Sequence, residues 1–196
     1  MISSKPCGEI IESSLSSWLV QSWQWNHFIP FGSLVSLKSD DLTLFGIVHQ
    51  VQTGSMDPMR YPFPYQKTQE ELLAEQPQIF EFLKTTFSCV AVGYAHKDKI
   101  SYLMPPEPPK IHAFVGLAPE NVSRRFFAQD HYLHLLFGSG AINLDELLLA
   151  IINNLLEQKI ISTEQLAPLM QTYSLLTKND YRRMKLFLGR LQRLAL

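Results

Sequence analysis

Four of the five residues from Pro105 to Pro109 are proline, in the run "LMPPEPPKIHAFVGL". Proline fixes φ near −65° and lacks an amide donor, so this stretch can be neither a helix interior nor a central strand. It has to be an extended connector of the polyproline type, which carries no internal hydrogen bonds. Apolar strand-like runs stand on both sides of it, "FSCVAVGYAHKDKISYLM" before and "IHAFVGL" after. A stiff spacer between two such runs is expected to carry the chain across a small β-barrel to its closing strand.

The rest of the chain divides around that spacer. "GEIIESSLSSWLVQSW", "GSLVSLKS" and "LTLFGIVHQV" are short β-type runs broken by polar or glycine-containing turns, with alternation plain at Ser33, Val35 and Leu37. "KSDDLT" and "HKDK" read as hairpin turns. Pro58, Pro62 and Pro64 make "TGSMDPMRYPFPYQKT" an extended loop. The period then changes: Thr68 with Glu71 forms a capping box, and Leu72, Leu73, Ile79, Phe80 and Leu83 fall at helical spacings, interrupted at Pro77. After Pro119 the pattern is helical, with Asn143 and Glu146 as a second capping box. The expected fold is therefore α+β: a small antiparallel β-barrel over residues 1–118 with a helical insertion at about 68–84, followed by a C-terminal α-helical region over residues 119–196. Gly46 and Gly93 are expected at bulges or bends of barrel strands.

Composition excludes several classes. Of 196 residues, 46% are hydrophobic and 18% charged, which is enough to bury a core and too little charge for a disordered linker. No apolar run reaches the roughly 18–20 residues that span a bilayer, and the N-terminal residues lack a signal-peptide pattern. Cys7 and Cys89 are the only cysteines and belong to no C-x-x-C pair, so both are expected as free thiols in a cytoplasmic, reducing setting.

The phrases "GEIIESS", "FGSLVSLKSDDLTLFGIVHQV", "EELLAEQPQIFEFLKTTFSCVAVGY" and "LMPPEPPKIHAFV", in that order, resemble the HAS-barrel domain. That small barrel stands at the N-terminus of HerA-type hexameric ATPases and is related to the N-terminal barrel of rotary ATP synthase subunits. The resemblance covers about residues 5–118. It implies a barrel that mediates subunit association and partner docking. It does not bring ATP hydrolysis with it, because none of the nine glycines begins the G-x-x-x-x-G-K-[ST] loop that cradles phosphates.

No complete catalytic apparatus is legible. Asp130, His131 and His134 fall on one helical turn without the further ligands that a metal site needs. His49, His96 and His112 lie in or beside strands with no G-x-S-x-G or H-E-x-x-H motif to recruit them. No catalytic, cofactor-binding or metal residue is therefore assigned, and no cofactor is expected. An enzyme of unrecognised type is a third reading without a motif behind it.

Two features point to partners. Trp18, Trp23, Trp25, Phe28 and Phe31 form the densest aromatic cluster, yet no Lys or Arg lies between Lys5 and Lys38 to track a phosphate backbone. The cluster reads as core plus an exposed edge for a protein partner, with Trp23, Trp25 and Tyr65 as candidate anchors. Near the C-terminus, Lys178, Arg182, Arg183, Lys185, Arg190 and Arg193 face Asp180 alone, in a chain of net charge −1. Tyr181, Met184, Leu188 and Leu191 recur at helical intervals beside them, giving a basic amphipathic helix. The expected function is a non-catalytic assembly or adaptor protein whose barrel docks on a protein partner or self-associates. The alternative is an accessory factor of a HerA-like motor or nuclease complex, with Arg182, Arg183, Lys185, Arg190 and Arg193 contacting nucleic acid.

Overall fold

The computed structural model describes residues 5–57, 59, 61–140 and 143–194. Its strands are β1 (Pro6–Ser13), β2 (Ser17–Ser22), β3 (Leu34–Ser39), β4 (Leu42–Ser55), β5 (Leu83–His96), β6 (Lys99–Ser101) and β7 (Phe114–Leu117). Neighbours run β2-β1-β7-β3-β4-β5, and β2 pairs again with β5, so these six strands close an antiparallel barrel; β6 adds to β5 outside the ring. Closure removes free sheet edges, which would otherwise template pairing with other chains. The proline spacer has the anticipated role: it leads from β6 to β7, and β7 fills the gap between β1 and β3.

Strands β4 and β5 explain how the molecule is layered. Along β4, Leu44 and Val48 point into the barrel, where they meet Ile10, Trp18, Val35, Phe87 and Val115. The intervening Phe45 and Ile47 point outward and are also buried, at 1% and 0% exposure. Their outer neighbours are helical residues including Phe126, Leu133, Leu148 and Ile152. Strands buried on both faces need near-continuous apolar runs, which is why "LTLFGIV" and "CVAVGYA" lack strict alternation. Gly46 faces inward at a bulge beside Phe45, and a Cβ there would stand 2.6 Å from Trp18 Cζ3.

The helices α2 (Glu120–Phe126), α3 (Tyr132–Gly138), α4 (Leu144–Glu157), α5 (Leu166–Leu176) and α6 (Tyr181–Leu194) cover the outer face of β3, β4 and β5. Phe126 is the aromatic hub of this layer, with ring centroids of Phe45 and Tyr102 each 5.1 Å away. Tyr102 donates a hydrogen bond to the Phe126 carbonyl at 2.6 Å. Asn154 of α4 donates to the Phe31 carbonyl at 3.0 Å, tying that helix to the loop before β3.

Three local expectations need correction. The helical insertion expected at about 68–84, divided at Pro77, consists of α1 (Gln69–Glu75) and a 3-10 turn, Pro77–Phe82; only Leu83 and Lys84 depart from it and extend β5, because they pair with Ser55 and Gly54 of β4. The Thr68–Glu71 capping box is present, but no residue of α1 or the turn is buried, so Leu72, Leu73, Ile79 and Phe80 build no core. Asn143 stands at the N-cap of α4 and its carbonyl accepts from Leu147 N at 3.0 Å, but it adopts φ 56° and its side chain makes no cap bond, while Glu146 pairs with Arg190, so the capping box is not formed. On α6 the buried residues are Phe187 and Leu191, whereas Tyr181 is 77% exposed and Leu188 is exposed as well. Pro58 of the predicted loop lies outside the described residues.

Candidate protein-docking surface

Helices cover one side of the barrel, and an aromatic feature marks the β1–β7 side. Trp23, just after β2, is exposed, and its ring meets the exposed Phe114 of β7 edge-to-face, at 5.3 Å and 89°. Glu9 of β1 fixes this pair. One carboxylate oxygen accepts from Trp23 Nε1 at 2.9 Å, and the other lies 3.2 Å from His112 Nδ1. Backbone bonds add to the restraint: Trp23 N donates to the Cys7 carbonyl at 3.0 Å and His112 N to that of Ile10 at 2.9 Å. An exposed tryptophan held this way has given up its rotamer freedom before any partner arrives, which lowers the entropic cost of binding. Ile11, at the register shift of β1, and Leu117 of β7 are further exposed apolar side chains on these strands.

The loop between β4 and α1 forms a second aromatic feature. In "YPFPY" the prolines keep the backbone extended, and Tyr61 and Phe63 are 92% and 71% exposed. Tyr65 packs edge-to-face on Phe63 at 5.4 Å and is less exposed than either. Trp25 is half-buried: its ring stacks on Phe80 of the 3-10 turn at 5.1 Å and 19°, and its carbonyl accepts from Thr85 Oγ1. Of the three sequence-derived anchors, Trp23 is thus presented outward, Tyr65 partly, and Trp25 is spent on joining the insertion to the barrel ribbon.

Sequence reasoning missed Phe114 and Glu9 as partners of Trp23. Glu9 and His112 are 103 positions apart, so no local pattern links them; barrel closure through β7 does.

The basic helix is partly engaged with the body. Arg183 grips Asp145 of α4 with two nitrogens, Nε to Oδ2 at 2.9 Å and Nη2 to Oδ1 at 2.6 Å, while Tyr173 donates to Oδ1 at 3.0 Å. Burial pushes the Asp145 carboxyl up, but the hydrogen bonds from Arg183 and Tyr173 outweigh it and leave the group below its ordinary range. Burial and the neighbouring carboxylate push the Tyr173 hydroxyl up to about 12. Arg190 pairs with Glu146. Arg182, Lys185 and Arg193 are exposed, with no ion pair among the described residues.

The histidines and acids considered for chemistry are dispersed. Asp130 accepts from Thr172 at 2.5 Å, and His131 stands edge-on to Tyr102 at 5.6 Å. Burial lowers the His49 pKa. Among the described residues no cluster of three or more His, Cys, Asp or Glu could hold a metal ion, and no helix is long and apolar enough to cross a membrane. Cys7 and Cys89 are both buried free thiols, and burial pushes each thiol pKa up. No protein-family model matches the chain, and no curated protein matches it by sequence.

Proposed function

We propose that this protein is a non-catalytic assembly or adaptor protein whose barrel is of the HAS type and docks on a protein partner, or on a second copy of itself, through the β1–β7 side. The observation that carries the reading is the Trp23–Phe114 pair, exposed and yet fixed by Glu9. Exposed aromatics that are already ordered are the residues that dominate interface energy once desolvated. Helices that pack on β3, β4 and β5 leave a different side of the barrel for association. The absence of a phosphate-binding loop from the sequence separates the assembly role of such barrels from the motor that usually follows them.

The nucleic-acid alternative has less behind it. Arg183 and Arg190 are committed to Asp145 and Glu146, which leaves Arg182, Lys185 and Arg193 as the open positive charges of α6. Light scattering of the purified protein, together with affinity capture, tests the proposal: a stoichiometric partner or a defined dimer that is lost in Phe114→Ala supports docking on this side. Binding to duplex DNA that weakens steeply with salt, with no effect of Phe114→Ala, would favour the alternative.

A further inference from the structure

A cavity of about 690 Å³ opens where the β3–β4 hairpin, the β5–β6 hairpin, the start of β7 and α2 come together. Its size is that of a small-molecule site, which usually encloses about 300–1,000 Å³, and falls short of what a folded partner would occupy. Phe45 and Val122 are among the apolar side chains that line it, both almost fully buried, and Ile100 and Phe114 contribute apolar surface nearer the opening. The charged lining is unbalanced. Lys38, Lys97 and Arg125 stand against Asp98 alone. Asp98 is already engaged, since Arg125 Nη1 lies 3.6 Å from its carboxylate and Arg125 Nη2 donates to its carbonyl. Lys38 and Lys97 are exposed and have no ion pair among the described residues.

An apolar lining under a cationic rim selects one chemical class. A neutral hydrocarbon would leave the lysines unused, and a cationic amphiphile would be repelled by them. We infer that this cavity binds a small amphiphilic anion, with its hydrocarbon or aromatic body against the accessible apolar surface of Ile100, Phe114 and Pro119 and its carboxylate, sulfonate or phosphate head between Lys38 and Lys97. The hydroxyl-bearing Ser36 and Thr43 line the same cavity on β3 and β4. Burial of the body supplies affinity in proportion to the apolar area removed from water, and the two ammonium groups supply selection for the sign of the head group.

The test uses the full chain and three probes that share one tail: dodecanoate, dodecanol and dodecylammonium, each below its micelle concentration. Titration calorimetry is expected to give saturable one-to-one binding of dodecanoate, at least about tenfold tighter than either of the others, and weaker at high salt. The double variant Lys38→Glu/Lys97→Glu, which changes only exposed side chains, is expected to weaken dodecanoate about tenfold and to remove its advantage over dodecylammonium. Thr43→Phe fills the cavity and is expected to abolish binding of all three. Equal affinity for the three probes, dodecanoate binding that survives both variants, or no saturable binding at all would each overturn the assignment.

Discussion

Replacing Gly46 by Ala tests the packing of the barrel interior. The added Cβ would stand 2.6 Å from Trp18 Cζ3, 3.1 Å from Cys89 Cβ and 3.2 Å from Trp18 Cε3. Carbon atoms in contact prefer about 3.5–4.0 Å, so the indole would have to retreat by roughly 1 Å. It has little room, since Trp18 is 2% exposed and sits inside a closed ring of strands. Overpacking of this kind costs about 1–3 kcal/mol, and the reduced entropy of the unfolded chain returns about 0.4–1 kcal/mol. The net expectation is a loss of about 1–2 kcal/mol, a fall in Tm of roughly 2–8 °C for a chain of this length. Differential scanning calorimetry measures it. Trp18→Phe removes the six-membered ring that the new methyl strikes, so in that background Gly46→Ala should be close to neutral, a coupling of about 1 kcal/mol. A rise in Tm for Gly46→Ala, or an equal cost in both backgrounds, would refute the argument.

Other expectations follow from the helical layer and the thiols. Phe126→Ala empties a fully buried position between Phe45, Tyr102 and Tyr132 and should cost about 3–5 kcal/mol by denaturant titration. Asp145→Asn removes the anion that Arg183 grips, and because both side chains remain about one-third exposed the cost at neutral pH should be only about 1 kcal/mol. The Asp145 pKa is depressed in the folded state, so its contribution is complete above the unfolded value near 3.9 and is lost as pH falls through the folded value. The difference between wild type and Asp145→Asn should therefore close as the medium becomes strongly acidic, which a pH series of melts reads directly. Cys7 and Cys89, buried with raised thiol pKa values, should react with an aromatic disulfide reagent at the rate of unfolding rather than that of a free thiol.

The barrel was legible because its determinants are local. Turn residues at Asp40–Asp41 and Lys97–Asp98, the bulge at Gly46 and the proline spacer each act within a few positions, and each stands where the pattern placed it. The last two residues of the helical insertion, Leu83 and Lys84, lie in a strand instead because the ladder that captures them is formed by β4, almost 30 residues earlier. Helical spacing at Leu72, Leu73, Ile79 and Phe80 reported a period correctly and said nothing about whether anything lay opposite to bury it. The Asn143–Glu146 pattern failed because Asn143 takes a left-handed conformation and makes no side-chain cap bond, while Arg190, from α6, takes the Glu146 carboxylate. The same limit applies to the candidate docking side. Trp23 was visible as an aromatic in a base-free stretch, but its fixation by Glu9 and contact with Phe114 exist only once β1 and β7 lie side by side.

The proposal that the β1–β7 side docks a protein rests on Trp23 being an anchor and not a support of the fold. Trp23→Ala, measured at equilibrium against the captured partner or in the protein's own dimerisation, is expected to weaken association by about 2 kcal/mol or more, roughly thirtyfold. Because the ring is about half exposed, Tm should stay within about 2–4 °C of wild type, the shift that goes with about 1 kcal/mol. Unchanged association, or a fall in Tm of roughly 10 °C in step with the loss of binding, would contradict the account and return Trp23 to the barrel's own packing.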